Sequence, residues 1–336
     1  MRVAVQVERY LSGVRVDTFL ARHFRNYTPF RLMRLVTAGL VQIEGATAET
    51  VQRVHTGQRV TVCLLEPPDK LLEPEAGPLD VLYEDSQLLA VCKPAGQIVH
   101  PVGQTQTGTL ANRVQAHLDA LTPLRGLLRP GIVHRLDRET SGVIVVPVEH
   151  AAHRSLSIQF QQGEIEKTYL ALVEGSPAQD SGTIDLPLGT WPGGQSILVS
   201  AAADARNPRP AVTRYTVRER FEKMTLIEAR PLTGRIHQIR VHLATMGHPV
   251  VADEYYGMGG SLRVPHAGST GSLRGVEPAG RPLNGTEPLM QRHALHAWQL
   301  TFTHPVTGNR LTVEAPLTDD FQQALNLLRG QVAGPP

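Results

Sequence analysis

Hydrophobic residues recur with a helical period at two places near the start of the chain. From Val16 onward, apolar residues return every three or four positions, as they do on one face of a helix. The same spacing follows Thr28-Pro29, where Thr28 is a capping residue and Pro29 suits the first turn, and it stops at Gly39. Two short β-rich runs come next. Residues 1–66 are therefore predicted to form a small α/β module.

The Pro-rich segment 67–78 predicts a linker, and short β-branched runs dominate the chain beyond it. The strand candidates of this region include 142–146, 167–175, 212–217, 224–232 and 295–302. The helix candidates lie at 110–121, 151–161, 237–246 and 319–328. Because strands outnumber helices, residues 79–330 are predicted to form an α+β domain with a largely antiparallel, mixed and twisted sheet flanked by helices and loops. Within it, 258–289 lack periodicity and predict a long flexible insertion, and 331–336 are expected to be a tail.

The net charge of +2 is small, but its distribution along the chain is uneven. Residues 1–70 hold ten Lys and Arg against six Asp and Glu, whereas residues 71–190 hold eight against fourteen. A basic module attached to a more acidic domain is typical of an element that approaches a polyanion. The two cysteines, Cys63 and Cys92, form no CxxC pair, which fits a reducing compartment. No stretch predicts a signal peptide or a membrane span, so we expect a cytoplasmic protein.

Residues 131–146 read GIVHRLDRETSGVIVV and place a charged core between two apolar segments. The segments 131–133 and 143–146 both predict strands that are buried on two faces. A polar loop between two such strands would lie at the rim of a sheet, where rigidly held side chains can meet a ligand. The alternative is a solvated turn with surface ion pairs, in which Asp137 bonds a neighbouring arginine.

A second charged stretch, PLTGRIHQIRVH at 231–242, predicts a helix that opens at Thr233-Gly234. Its buried face would consist of Ile236, Ile239 and Leu243. The side chains directed toward a cleft would be Arg235, His242, and Gln238 or Arg240. The alternative for Arg235 is a solvated residue at the start of the helix.

In a third segment, strand alternation puts Lys167 and Tyr169 on one face, although Tyr169 alone would be read as a half-buried aromatic. The histidines show no HExxH context and no helical i, i+4 spacing, so a metal site is not expected. Motifs for nucleotide and flavin binding are also absent from the sequence, and we expect no cofactor.

Several long motifs occur in the order that is found in one enzyme family. GIVHRLDRETSG resembles the HRLD signature of the RluA/RluD family of RNA pseudouridine synthases. LYEDSQLLAVCKPAG, EKTYLALVEG, PLTGRIHQIRVHLATMGHPVVAD, YYG and HALHAWQLTFTHPVTG resemble its other blocks. RVDTFLARHF through GQRVTV resembles the small RNA-binding domain first seen in ribosomal protein S-four. The departures are Ile236 in place of a frequent Thr, the length of 258–289, and a poor match at 191–206.

The resemblance implies a catalytic role for three residues. Asp137 matches the catalytic aspartate, Arg235 would pair with it and orient it, and Tyr169 would lie against the uracil. Tyr169 would serve as, or relay to, the base that removes the ring proton. Arg135 would fill the space that the target uridine leaves when it is flipped out of its stack. The remaining substrate contacts of this domain are expected from His134, Lys167 and Arg240.

In the amino-terminal module, Arg31 and Arg34 lie on the helix face opposite the apolar stripe. The hypothesis is that both contact RNA phosphates, and the alternative is a solvated helix face. The expected function is isomerisation of uridines in structured RNA by a monomer, with large-subunit ribosomal RNA preferred over transfer RNA as the target. Two other functions stay open at this point: a non-catalytic RNA-binding or ribosome-assembly factor, and a glycoside hydrolase with Glu139 as its second acid.

Overall fold

The computed structural model describes residues 2–24, 27, 29–63, 72–121, 129–191, 198–257 and 290–332. The helices of this part are α1 Val16–His23, α2 Pro29–Thr37, α3 Leu110–Leu121, α4 His150–Gln162, α5 Gln238–Thr245 and α6 Asp319–Val332. The strands are β1 Arg2–Gln6, β2 Val41–Ile43, β3 Ala46–Thr47, β4 Arg59–Cys63, β5 Asp80–Glu84, β6 Leu88–Lys93, β7 Ser141–Pro147, β8 Glu166–Glu174, β9 Ser181–Asp185, β10 Leu188–Thr190, β11 Val199–Ser200, β12 Arg206–Arg209, β13 Val212–Arg220, β14 Met224–Pro231, β15 Leu295–Thr303 and β16 Arg310–Glu314. Thr28 and the predicted insertion at 258–289 lie outside the described residues.

The amino-terminal unit has a hydrophobic core of its own. Its four strands pair in the antiparallel order β1-β4-β2-β3, and α1 and α2 bury Phe19, Leu20, Leu32 and Leu35 together with strand residues. The predicted α/β module is present here, with four strands rather than one pair. Each of the two helices is apolar on one face and polar on the other. The unit folds because the apolar faces are buried against the sheet while the polar faces stay exposed.

Arg31 is the first correction to the predicted site. Its side chain is buried, and its guanidinium lies over the ring of Tyr27, 4.1 Å from the centroid. The helical pattern placed Arg31 correctly on α2, but the buried Tyr27 lies against its guanidinium. A guanidinium enclosed in this way is not presented to RNA phosphates. The side chain of Arg34 lies outside the described part of the structure.

The large sheet has the order β5-β6-β7-β15-β8-β14-β13-β9, with β16 on β15, and β7–β15 is its parallel pair. The other neighbours are antiparallel, which confirms the predicted α+β class. All seven residues of β7 are buried. None of the helices in the described part of the chain combines the length and the apolarity needed to cross a bilayer.

Two predictions about local structure were wrong. Residues 131–133 do not form a strand; they are half-buried, extended, and tied to the sheet by a bond from the Gly131 N–H to the Pro147 carbonyl. The polar loop is therefore framed by one strand, β7. In the described part of the stretch 191–210, which looks irregular in sequence because it shows no helical or strand period, β11 and β12 join β10 in a small sheet. Such two- to four-residue strands are too short to show a period.

Contacts of the described residues lie near both predicted domain boundaries. The end of the predicted linker is docked on the larger domain, because the Glu75 carboxylate accepts the Gly108 N–H at 2.8 Å and Asn112 of α3 donates to the Glu73 carbonyl at 2.7 Å. At the other terminus, α6 continues to Val332, which is two residues into the predicted tail. The 64–71 portion of the linker lies outside the described residues.

Candidate active site

Asp137 lies in the loop that precedes β7. Its backbone carbonyl accepts the Thr140 N–H at 3.1 Å, so that the loop turns tightly before the strand begins. Its carboxylate Oδ2 accepts a hydrogen bond from Nη1 of Arg240 at 3.0 Å. The exposed fraction of its side chain is 20%. Asp137 is therefore held by a cation on one side and remains accessible to a ligand on the other.

Arg240, on α5, is shared between two carboxylates. Its Nε and Nη2 donate to the two oxygens of Asp253 at 2.6 and 2.8 Å, which leaves Nη1 for Asp137. Asp253 is fully buried, and its Oδ1 also accepts the backbone N–H groups of Tyr255 and Tyr256. A planar guanidinium that is fixed in two places has little freedom, so Asp253 orients the donor that Arg240 presents to Asp137.

The charges around Asp137 favour its ionised form. Burial would raise its pKa, but His237, Arg240 and His293 surround the carboxylate and, with the Arg240 hydrogen bond, hold the pKa below its ordinary value. Burial lowers the pKa of His237 to about 4 and that of His293 to about 3. Both imidazoles are consequently neutral at pH 7. Of these three neighbours, Arg240 supplies the positive charge at that pH.

Lys93, at the end of β6, fixes the other side of the loop. Its fully buried ammonium donates to three carbonyls, those of Pro94, Gln97 and Arg138, at 2.7 to 2.9 Å. Burial lowers the pKa of Lys93 to about 7. The bond to Arg138 ties the residue after Asp137 to the turn that follows β6.

Two cavities meet at Asp137. The Tyr169 cavity, of about 570 Å³, is lined on its far side by Lys167, Tyr169 and Thr233. The Tyr255 cavity, of about 810 Å³, is lined on its far side by His100, Glu254, Tyr255 and Arg292. The residues common to both are Arg135, Leu136, Asp137, Ile236, His237 and Arg240. This size suits a flipped nucleotide and its neighbours, and the carboxylate lies where the two spaces join.

Comparisons with known proteins agree with this geometry. Residues 87–245 match the family model described as RNA pseudouridylate synthase. The chain is 36% identical to the uncharacterized RNA pseudouridine synthase YlyB of Bacillus subtilis, over 94% of each chain. The chain belongs to the RluA-type family of RNA pseudouridine synthases. It is also 36% identical to the ribosomal large subunit pseudouridine synthase D of Nitrosomonas europaea, over 97% of this chain and 88% of the relative.

A solved structure supports the fold of the synthase. The human RNA pseudouridylate synthase domain containing 4 is 26% identical, with a TM-score of 0.57 over 74% of this chain and 93% of its own. The synthase is thus an isomerase that acts on RNA, and the hydrolase and the non-catalytic binder are set aside. The family match begins at residue 87, so the likeness of residues 1–66 to the domain of ribosomal protein S-four stays a prediction.

The family resemblance implied that Arg235 pairs with Asp137. In the structure of the synthase these two side chains do not pair. The Nε of Arg235 donates instead to the Pro210 carbonyl at 3.0 Å, while Arg240 takes the position beside the carboxylate. The reason is the start of α5, which begins at Gln238, one residue inside the helix candidate 237–246 and four residues after the predicted opening at Gly234. Arg235 therefore lies in the turn before the helix, although it still lines the Tyr169 cavity.

The later start of α5 also changes where the other side chains of 231–242 lie. Ile239 and Leu243 are buried as predicted, but Ile236 is 51% exposed. His242, which was expected in the cleft, is fully buried and bonded to Thr213 Oγ1 and the Leu186 carbonyl. Of the alternatives Gln238 and Arg240, the structure selects Arg240. Gln238 is buried and donates to the Val212 carbonyl and to Thr213.

His134 has a structural contact where a substrate contact was predicted. Its Nε2 accepts the Val145 N–H at 2.9 Å, and its ring stacks on Phe160. Burial lowers its pKa to about 3, so this nitrogen stays unprotonated and available to the strand. His134 lines the Tyr169 cavity, but its acceptor is used to hold β7. The exposed Arg135 lines both cavities, as its predicted role requires.

Lys167 and Tyr169 share a face of β8, as predicted, and both line the Tyr169 cavity. The Nζ of Lys167 donates to the Thr233 carbonyl at 2.9 Å, and burial, with the charge of Arg235, lowers its pKa to about 8. Burial and the charge of Asp137 raise the pKa of Tyr169, whose hydroxyl is therefore protonated in the empty enzyme.

Four residues of the site were missed by sequence reasoning: Lys93, Asp253, Tyr256 and Arg292. Lys93, Asp253 and Tyr256 stand in the family-like motifs CKPAG, PVVAD and YYG, so these motifs marked three positions to which no role was assigned. Arg292 lies outside the quoted motifs, and its partners are distant in sequence.

Proposed function

We propose that the synthase converts uridines of large-subunit ribosomal RNA to pseudouridine with Asp137 as its nucleophile. The observation that carries the proposal is the position of Asp137, a carboxylate kept ionised by Arg240 at the junction of two cavities. A carboxylate that is both charged and accessible can form a covalent bond with the nucleoside.

The reaction needs neither an oxidant nor a donor. The bond between N1 of uracil and C1′ of ribose breaks, the bond between C5 and C1′ forms, the hydrogen on C5 leaves as a proton, and N1 takes up a proton, so that the product is an isomer of uridine. Asp137 supplies the electron pair that attaches to the nucleoside and is released unchanged at the end. The cavity keeps the detached uracil close to the ribose while it turns. The bond between C5 and C1′ can then form within one bound complex, without a new bimolecular encounter.

Tyr169 contributes through its place opposite Asp137. Its ring forms a wall on which the uracil can lie. One cause of its raised pKa is the negative charge of Asp137, and that charge disappears when the carboxylate becomes covalently attached. The hydroxyl then ionises more readily, and Tyr169 can take the C5 proton as a phenolate or relay it by passing its own proton to another base. Arg135 would take the place of the flipped uridine, whose unstacking costs a few kcal/mol.

The choice of ribosomal RNA rests on the relatives. Synthases of Nitrosomonas europaea, Xanthomonas campestris and Neisseria meningitidis that are 35 to 37% identical to this chain are named ribosomal large subunit pseudouridine synthase D. Each is matched over at least 95% of this chain. The basic amino-terminal module gives additional attraction to a large folded RNA.

The test is tritium release from RNA that carries labelled C5 on its uridines. Ribosomal and transfer RNA would be isolated from a strain that lacks the enzyme, so that its sites are unmodified. We expect release from large-subunit ribosomal RNA with the wild type and a decrease of about 10⁴-fold or more with Asp137→Asn. The matched control is Asp180→Asn, whose carboxylate is 88% exposed and remote from the cavities.

The role of Asp137 and the choice of RNA target can be contradicted independently. Release by Asp137→Asn at the wild-type rate would remove Asp137 from the chemistry. Release from transfer RNA alone would leave the nucleophile in place and replace the target. Both variants should keep the wild-type fold and RNA affinity, because an amide keeps the shape of the side chain. The unfolding midpoint of Asp137→Asn should fall slightly, since the ion pair with Arg240 is lost.

A further inference from the structure

His237 is held in an unusual conformation next to Asp137. Its φ of 53° lies in the left-handed region, which costs a residue other than glycine about 1 kcal/mol or more. The residue directly precedes α5, and its side chain is 12% exposed. This backbone turns the imidazole so that Nε2 lies 3.9 Å from Oδ2 of Asp137. The ring lines both cavities.

The opposite nitrogen of the ring is bonded to a buried tyrosine. Nδ1 of His237 lies 2.8 Å from the hydroxyl of Tyr256, and that hydroxyl accepts the Val199 N–H at 3.1 Å. Burial raises the pKa of Tyr256, so the phenol keeps its proton.

This network selects one tautomer of His237. If Nδ1 carried the proton, Tyr256 would accept from both Val199 and His237, and its own proton would lack an acceptor among the described residues. A buried donor without an acceptor costs about 1–3 kcal/mol. If Tyr256 donates to Nδ1, every group is satisfied. The proton of the neutral imidazole is then on Nε2, the nitrogen that faces Asp137.

The Nε2–H is not used by Asp137. A distance of 3.9 Å is too long for a hydrogen bond, and Oδ2 already accepts from Arg240 at 3.0 Å. A neutral donor thus points into the space beside the nucleophile. In the proposed reaction, uracil that has left the ribose carries negative charge on N1 and O2 in this space. A fixed donor stabilises such charge more in an enclosed site than in water.

We propose that His237 is a catalytic residue whose Nε2–H donates a hydrogen bond to the detached uracil, and that Tyr256 positions it by fixing the tautomer. The inference rests on the proposed function of Asp137 as nucleophile. No proton transfer is required, since the donor keeps its proton while the ring turns and C5 meets C1′. The donor holds the base for the time between bond cleavage and bond formation.

The first measurement uses the unmodified protein. The ¹⁵N chemical shifts of the His237 ring at neutral pH are expected to show a protonated Nε2 and an unprotonated Nδ1. A protonated Nδ1 in the wild-type enzyme would overturn the proposal. In Tyr256→Phe the ring loses the partner of Nδ1, and we expect a mixture of tautomers with a decrease of about tenfold in kcat.

Two substitutions separate the donor from the backbone. Asn tolerates the left-handed conformation but is too short to place an N–H where Nε2 lies, so His237→Asn should keep the fold and lose about 10² to 10³-fold in kcat with little change in KM. The amide of Gln reaches farther, and His237→Gln should regain at least about tenfold over the Asn variant. A His237→Asn enzyme with wild-type kcat would refute the role.

Failure here can be told apart from failure of the proposed function. An inactive Asp137→Asn enzyme together with a fully active His237→Asn enzyme would reject the role of His237 alone. An active Asp137→Asn enzyme would reject the nucleophile, whatever the tautomer of His237.

Discussion

At the scale of single residues, the site depends on how Arg240 divides its donors. Two donors are bound by Asp253 and one is bound by Asp137, so one guanidinium both anchors α5 and keeps the nucleophile charged. The pKa values of both carboxyl groups are lowered below the ordinary 3.8 in spite of burial. Their contribution to stability is therefore present above pH 3.8 and is lost as the pH falls through the lowered values.

Replacement of Arg240 should change the pH dependence of the enzyme. In Arg240→Gln burial acts on Asp137 without a compensating cation, so its pKa rises. We expect the loss of kcat/KM on acidification to begin at a higher pH in this variant than in the wild type, because Asp137 is protonated at a higher pH. Asp253 also loses its partner, which should lower the free energy of unfolding by about 3–5 kcal/mol.

The control for Arg240→Gln is the double variant with Asp253→Asn. It removes the uncompensated buried charge and should recover part of the stability, while the acid limb of kcat/KM stays displaced. Urea unfolding and initial rates would measure the two effects. If the single variant followed the wild-type pH profile, Arg240 would not control the ionisation of Asp137.

At the scale of elements, the catalytic loop is clamped from three directions. Lys93 binds it to the end of β6. Arg292 donates to the Glu139 carbonyl at 3.0 Å and to Asp320 of α6 at 2.7 Å, so the carboxyl-terminal helix also secures the loop. The third clamp is the parallel contact between β7 and β15, where Gly142 has a φ of 115° beside Ala297. These contacts place Asp137 through distant elements that bind the loop residues next to it.

The close approach of β7 and β15 predicts a large effect of a single methyl group. A Cβ on Gly142 would overlap the Ala297 carbonyl oxygen and lie 2.7 Å from the Ala297 nitrogen. Gly142→Ala should lower the free energy of unfolding by about 2–5 kcal/mol through overpacking and backbone strain. Activity should fall in parallel because β7 supports Asp137. Urea unfolding of the full chain would measure the change.

The matched control is Gly330→Ala in α6, where a Cβ meets nothing within 4 Å. Alanine at this helical position should stabilise the protein by about 0.5–1 kcal/mol. Equal unfolding midpoints for Gly142→Ala and the wild type would show that the two strands can separate without cost.

At the scale of the whole molecule, the amino-terminal unit combines a separate core with an excess of positive charge. Arg31 is buried, but the described part of this unit has other arginines that are exposed, including Arg2, Arg9, Arg22, Arg53 and Arg59. Exposed arginines release counterions when they meet phosphates, and this release makes RNA binding depend on salt. Such a unit raises the local concentration of RNA at the catalytic domain without changing the chemistry.

Removal of residues 1–70 should weaken RNA binding and flatten its dependence on salt, while kcat at saturating RNA changes less. The full-length variant Arg2→Gln, Arg9→Gln, Arg59→Gln should show part of the same effect, with a slope reduced by about 0.7–0.9 for each phosphate that the protein no longer neutralises. Arg31→Ala should instead lower the stability of the unit. An unchanged salt slope in the first two proteins would mean that the unit does not grip the RNA backbone.

Much of the local structure follows from the sequence because it depends on neighbouring residues. The predicted helix at 110–121 coincides with α3, and the predicted strand at 142–146 lies within β7. A helical or strand period is complete within a dozen residues, so it can be read without knowledge of the fold. Asp137, Lys167 and Tyr169 were placed on a loop beside a strand and along one strand face in the same way, but their roles in the site were predicted from the family resemblance.

The tertiary structure decided which side chains meet. Asp137 and Arg240 are 103 positions apart, and their contact depends on the residue at which α5 begins. When a helix begins a few residues later than predicted, a different set of its side chains faces the site. For this reason Arg240, and not Arg235, contacts Asp137. The contacts of His134 and Arg31 were likewise set by packing, in one case against Val145 and in the other against Tyr27. The sequence by itself determined the elements and the chemical groups, whereas the contacts between elements assigned each group its role, because only packing fixes distances across the chain.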